Sequence, residues 1–236
     1  MKWLTRIVQA IIVLSVPLVL LVGSARLLML PVVMQLEYQR PNFEVDYYGF
    51  TTKDRLIYAP LALTYLLSGE SIEFLARQTL YGEKCFPPQN TLCPLFQPNE
   101  LKHMEDVKAV TNFLFALTLV IAISSGVAAY LLIKSNQQQL VCSSLIYGAI
   151  FTVVLIITVA IVVLFAWDTF FATFHSLFFT EGTWTFYYSD TLIRLYPEQF
   201  WIDMSLAIGV LTLAGSLIVW FIAARVKITA LSSRIP

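Results

Sequence analysis

His103 and His175 are the only imidazoles in this 236-residue chain. A neutral imidazole, with a pKa near ~6.5, can take a proton and hand it on at neutral pH. His175 lies in the stretch 167–201, WDTFFATFHSLFFTEGTWTFYYSDTLIRLYPEQFW, which joins two long apolar runs and is crowded with aromatic residues. Trp and Tyr collect where a bilayer meets water, so this connector is expected on a membrane surface. That places His175 at the depth of lipid head groups and ester bonds. His103 precedes the apolar run that starts at Ala109. On one helix it stands ~9 Å above that run, at the same depth. The chemistry this spacing suggests is proton transfer on an ester in the interfacial layer.

Several residues are candidates to support the pair. Asp106, one helical turn after His103, can hold that imidazole, and Asp190 or Asp168 can do so for His175. Arg194 is a candidate to stabilise an oxyanion or a neighbouring phosphate. Trp184, Phe174, Phe178, Phe179 and Tyr187 read first as interfacial anchors and second as the lining of a lipid groove. Arg26 falls near the outer end of the first apolar run, where its long stem can snorkel to the interface; as an ionisable residue in a span it is also a functional candidate. Asp106 and Asp190 read equally well as helix-start residues. Ser176 beside His175 makes a poor nucleophile pair, because sequence neighbours do not face each other on a helix. Short metal-ligand spacing is lacking, so no metal and no cofactor is expected.

These residues need a membrane scaffold to position them. The chain is 58% hydrophobic and only 13% charged, against ~25% charged in a soluble domain; its mean hydropathy is +0.75. Net charge is zero, which gives no footing for nucleic acid, and nothing points to a nucleotide. Lys2 and Arg6 followed by an apolar run to Leu28 have the form of a signal peptide, with Gly23-Ser24-Ala25 as a cleavage site. The run nevertheless has the ~20 residues of a span, and a retained first helix is expected. The predicted organisation is helix 1 at 7–33, a cap with the start of helix 2 at 34–108, helix 2 at 109–133, helix 3 at 140–167, the aromatic connector at 168–200 and helix 4 at 201–225. The fold class is thus an all-α polytopic membrane protein of four transmembrane helices with a small extracytoplasmic mixed α/β cap. Ser125, Gly126, Gly148, Gly209 and Gly215 would let the spans approach closely.

Charge sorting orients the chain. Lys2, Arg6, Lys134, Arg225, Lys227 and Arg234 lie in the two termini and the 134–139 link, which contain no Asp or Glu. The positive-inside rule makes that side cytoplasmic, against the minority vote of Lys102 and Lys108, and both histidines then face outward. In the cap, Phe43–Tyr47 alternates as a short strand. A helix starts near Thr51–Asp54 with Leu56, Leu63 and Leu67 on one face, is interrupted or begun by Pro60, and stops at Ser68-Gly69. A second short helix is expected over Ser71–Leu80, followed by a Pro-rich loop, and Asn99 is the expected cap of the helix carrying His103. Cys85 and Cys93 can pair in an oxidising compartment, whereas Cys142 reads as a small buried residue.

The motifs resemble the bacterial lipoprotein intramolecular transacylases, the Lit family. The matching pieces are His103-Met104-x-Asp106-Val107, then Phe174-His175-x-x-Phe178-Phe179-x-x-Gly182-x-Trp184-x-Phe186, then Asp190-x-Leu192-Ile193-x-Leu195-x-Pro197-x-x-Phe200. The likeness covers most of the chain, although 34–98 matches in layout more than in residues. It implies an enzyme that moves the sn-2 acyl chain of a diacylglyceryl-cysteine lipoprotein to that cysteine's own α-amino group. The implied partners are the diacylated lipoprotein amino terminus and membrane lipid, the implied location is the bacterial cytoplasmic membrane, and the implied histidine pair is His103 and His175. The alternative expectation is a non-enzymatic membrane protein whose cap binds a lipid or a protein. The imidazoles separate the two: rings more than ~12 Å apart could not serve one substrate. Oligomeric state, acyl-chain preference and the choice of lipoproteins have no signature in the sequence.

Overall fold

The computed structural model describes residues 2–232, so the expectation for Arg234 lies outside the described residues. The described chain forms helices α1 (Lys2–Leu28), α2 (Pro31–Tyr38), α3 (Thr52–Leu67) and α4 (Glu73–Ala76), strands β1 (Thr79–Gly82) and β2 (Gln89–Pro94), then α5 (Pro98–Lys134), α6 (Gln138–Phe165), α7 (Trp167–Phe178), α8 (Thr191–Leu195) and α9 (Glu198–Ser232). Among the described residues four helices are long and apolar enough to cross a membrane: Trp3–Leu28, Pro98–Lys134, Gln138–Phe165 and Glu198–Thr229. The chain divides into two compact units, Met1–Leu27 with Phe113–Ala166 and Ser205–Pro236, and Leu28–Asn112 with Trp167–Met204.

The first unit holds the apolar helices, and small and hydroxyl side chains decide where they meet. A Cβ on Gly148 would come 2.7 Å from Val16 and 2.9 Å from the Val13 carbonyl oxygen, so only glycine lets α6 approach α1 there. Gly215 stands in the same way against Leu20. Gly126 has nothing nearby and Gly209 makes an ordinary contact with Ile156, so the expectation of close approach applies to two of the four glycines. Ser15 bonds Ser125 at 2.9 Å, Thr212 bonds Ser24 at 3.2 Å and Ser216 donates to the Ala149 carbonyl at 3.0 Å. Cys142 is buried, as expected.

The second unit is the cap. Its core gathers Tyr38, Phe50, Ala59, Leu63, Leu75, Leu95, Phe96, Leu195 and Phe200. A reciprocal capping box starts α3: the Thr51 hydroxyl accepts from the Asp54 amide and the Asp54 carboxylate accepts from the Thr51 amide. The helix runs through Pro60 and stops at Ser68. Its buried face is Arg55, Ala59, Ala62, Leu63 and Tyr65, with Leu67 exposed, so the face is rotated from the leucine stripe expected. Three further expectations are corrected. Phe43–Tyr47 is loop and not strand, because its polar groups pair with side chains: the Glu44 amide donates to Gln199 Oε1 and the Phe50 amide to Asp46 Oδ2. Ser71–Leu80 is helical only over Glu73–Ala76, since Leu80 belongs to β1. The first helix ends at Leu28 and Pro31 opens α2, proline being suited to a first helical turn. Strands β1 and β2 pair antiparallel with Leu80 opposite Cys93, and Cys85 is bridged to Cys93.

Glu100 ties the start of α5 to α8. Its carboxylate is fully buried and accepts from the amides of Gln97 and Leu192, each at 2.6 Å. Helix α5 begins at Pro98 and Leu101 donates to the Gln97 carbonyl, so Gln97 and not Asn99 occupies the cap. Glu100→Ala leaves two buried N–H groups without acceptors, and a loss of about 3 kcal/mol is expected. Thermal unfolding in detergent should show a lowered Tm for this variant and a smaller drop for Glu100→Gln, which keeps one acceptor.

Candidate active site

His103 stands one helical turn after Glu100 on α5 and is largely buried. His175 lies on α7, partly buried. Their ring centroids are 6.2 Å apart and nearly parallel, at 23°. That is well inside the ~12 Å reach that separates an enzyme from a binding cap. Aromatic rings fix both imidazoles: Phe179 lies 4.9 Å and Phe186 5.4 Å from His103, while Phe171 lies 4.0 Å and Trp184 5.0 Å from His175. Helical spacing puts Phe171 four residues before His175 on α7, and Phe179, just past the end of α7, follows four residues after it with its amide donating to the His175 carbonyl.

The hydrogen bonds assign the proton. His175 Nδ1 lies 2.8 Å from the Phe171 carbonyl oxygen, and a carbonyl only accepts. Nδ1 therefore carries the hydrogen and Nε2 holds the free lone pair, the form of a general base. Burial lowers the His175 pKa below the ordinary imidazole value, an effect partly opposed by the bond to Phe171. His103 Nδ1 is buried with no hydrogen-bond partner. Two positive rings at this spacing repel, so the pair takes up at most one proton readily.

The supporting residues are arranged differently from the expectation. Asp106 pairs with Lys102 at 3.1 Å and makes no hydrogen bond to His103. Asp190 is the N-cap residue of α8 and accepts from the Tyr187 amide at 2.9 Å. Asp168 lies exposed in the first turn of α7, about two turns from His175. No carboxylate therefore orients His175; a main-chain carbonyl does. Arg194 is 2% exposed and inside the cap: it donates to Asp46 at 3.3 Å and to the carbonyls of Lys84 and Tyr48, each at 3.0 Å, and lies 3.5 Å over Phe50. Its guanidinium is engaged on three sides within this unit. Arg26 is exposed on α1 in the other unit. Trp184 packs on His175, and its indole N–H is buried without an acceptor. Among the described residues no cluster suits a metal ion.

Sequence reasoning missed Glu100, Phe171 and Arg55. Glu100 had a signal, an acidic residue three places after a helix cap. Phe171 had only its spacing of four from His175. Arg55 had the signal of a charge within the apolar positions of α3.

The four long apolar helices among the described residues mark a multi-pass membrane protein. A family model for the lipoprotein intramolecular transacylase Lit matches residues 10–201, and the chain belongs to that family. It is 31% identical over 216 residues to an uncharacterised protein of Aquifex aeolicus (strain VF5), covering 92% of this chain and 93% of that one. It shares its fold with the membrane integral lipoprotein intramolecular transacylase Lit from Bacillus cereus, with a TM-score of 0.76 at 17% identity over 99% of this chain and 100% of that chain. A structure of that protein with a histidine-to-arginine mutation has a TM-score of 0.67, at 17% identity over 98% of this chain and 96% of that chain.

The cysteine α-amine must be neutral to attack, so kcat/KM falls as pH drops below about 8, where that amine protonates, and a base with a lowered pKa adds its own loss only below about pH 6.5. The same shift makes the folded state bind fewer protons than the unfolded one. Its contribution to stability is therefore present above about pH 6.5 and is lost as pH falls toward the folded-state pKa. One protonation, that of the amine, should describe the pH–rate profile down to about pH 6.5, and a second acid limb above that value would contradict the assignment. Arg194→Lys should lower Tm, because an ammonium cannot reproduce the fork, while the folded fraction retains kcat within a few-fold.

Proposed function

We propose that this chain moves the sn-2 acyl chain of a diacylglyceryl-modified cysteine, at the amino terminus of a lipoprotein, onto that cysteine's own α-amino group. The observation that carries the reading is the pair of imidazoles 6.2 Å apart, with His175 Nδ1 held by a carbonyl so that Nε2 is free. The neutral amine attacks the ester carbonyl carbon and its proton passes to His175 Nε2. The tetrahedral intermediate then collapses by breaking the bond to the glycerol oxygen, and the His175 imidazolium protonates that oxygen. An N-acyl amide and a free sn-2 hydroxyl result, and no acyl-enzyme is formed. Neutral His103 orients the ester and polarises its carbonyl through a ring N–H. Nucleophile and ester belong to one molecule, so much of the acceleration comes from folding the head group until they meet.

The reaction is placed at the outer face of a bacterial cytoplasmic membrane with both termini inside. The basis is the segregation of Lys2, Arg6, Lys134, Arg225 and Lys227 from all fifteen acidic residues. A Cys85–Cys93 bridge in the cap suits that oxidising side. Membrane lipid would surround the acyl chains of the substrate.

The test is mass spectrometry of a lipoprotein co-expressed with this protein in a host lacking amino-terminal acylation, locating the second acyl chain. His175→Ala should cut N-acyl, S-monoacylglyceryl product by ~10²–10⁴-fold while the protein still folds, with His103→Ala also strongly impaired. Unchanged product from His175→Ala would remove it as the base.

A further inference from the structure

We propose that a cavity of about 620 Å3 in the cap unit receives the polypeptide that follows the lipidated cysteine of the substrate; this rests on the transacylase reading above. The volume is that of a ligand pocket. Its lining includes Glu44, Tyr47, Arg55, Tyr188, Glu198 and Ile202.

Arg55 is the informative residue. It is only 4% exposed. Its Nε donates to the Arg194 carbonyl at 2.9 Å, its Nη1 donates to the Glu44 carbonyl, and the guanidinium lies 5.2 Å from the Phe43 ring. Among the described residues Nη2 makes no hydrogen bond and Arg55 joins no ion pair. Arg55 lines the cavity and Nη2 is not among the buried unpaired atoms, so this donor is open to the cavity, where an acceptor on a ligand can take the place of water. The surrounding charges choose the acceptor. Asp46 is paired with Arg194, which leaves Glu44 and Glu198 to oppose Arg55 and to repel a free phosphate or another anion. A peptide supplies what this mixture needs, carbonyl oxygens for Arg55 Nη2 and N–H groups for the carboxylates. The tyrosines and Ile202 offer apolar contact to side chains between them.

The cavity is also within reach of the histidines. Phe186 packs on His103 at 5.4 Å, and Tyr188, two residues on, lines the cavity. From the other side, Glu100, one turn before His103, holds the amide of Leu192, whose neighbour Ile193 also lines it. An extended chain advances ~3.3–3.6 Å per residue, so two to four residues after the reacting cysteine bridge the interval.

The experiment uses the full chain in nanodiscs with synthetic S-diacylglyceryl-cysteine amide and with the same group on peptides of increasing length. It is run in phosphatidylcholine and in phosphatidylglycerol, and N-acyl product is read by mass spectrometry. In wild type, kcat/KM should rise by about tenfold or more between one and five residues, the effect of one hydrogen bond to a charged group. Ile202→Trp, which fills the cavity without removing a hydrogen bond, should bring the long peptide back to the rate of the short one, and Tyr188→Ala, at an exposed position and with the Arg55 donor left in place, should lessen the gain. A wild type indifferent to length, or variants that keep the full gain, would overturn the proposal. So would a KM that responds to the lipid head group in wild type and not in the variants, which assigns the cavity to lipid. Failure of wild type to convert even the cysteine amide would overturn the transacylase reading and this inference with it; conversion without a length gain overturns the inference alone.

Discussion

The buried carboxylate of Glu100 holds the cap together at the point where the chemistry is arranged. Its two oxygens accept from the amides of Gln97 and Leu192, 95 positions apart in the chain, and join them by way of one side chain. The first bond sets where α5 begins, and His103 follows one turn later. The second fixes the end of the aromatic connector, which carries Phe186 onto the His103 ring and Arg194 into the core of the cap. A buried carboxylate with both oxygens occupied by main-chain donors is directional in a way that apolar packing is not. Moving either partner by an ångström would forfeit a bond and expose a charge to an apolar surrounding.

Around that anchor the cap is braced by guanidinium groups. Arg194 gathers Asp46, Tyr48 and Lys84, while Arg55 joins the Arg194 and Glu44 carbonyls. Loops rich in main-chain polar groups cannot be buried unless each is paired, and here side chains do what a larger sheet would do elsewhere. This is why 43–50 stays a loop despite its strand-like alternation: its acceptors face arginine forks, and β1 and β2 pair only with each other.

The histidine site is apolar by contrast. Phe171, Phe179, Phe186 and Trp184 surround two imidazoles, and the hydrogen bond that orients His175 comes from its own helix. A carboxylate partner would favour the charged ring; here burial among aromatic rings favours the neutral one, and the Phe171 carbonyl offsets only part of that effect. For a base that must collect a proton from an amine and return it to an alcohol oxygen, that is the serviceable state. Shielding from water also suits an acyl transfer in which hydrolysis is the competing outcome.

Composition and apolar run length determined four spans, because a helix that crosses lipid must satisfy its backbone internally and expose apolar side chains. The basic, acid-free termini and 134–139 link, the Thr51–Asp54 helix start and the two histidines were legible for similar local reasons. Partners were not. Asp106 and Asp190 carried the right spacing to orient the rings, yet one pairs with Lys102 and the other starts α8. Arg194 carried the right charge for an oxyanion and became a brace. Which donor meets which acceptor depends on segments far apart in the chain, and only the tertiary structure brings Asp46 to Arg194, Glu100 to Leu192 and His103 to His175. Local pattern sets what a residue can bond; long-range packing decides what is there for it to bond.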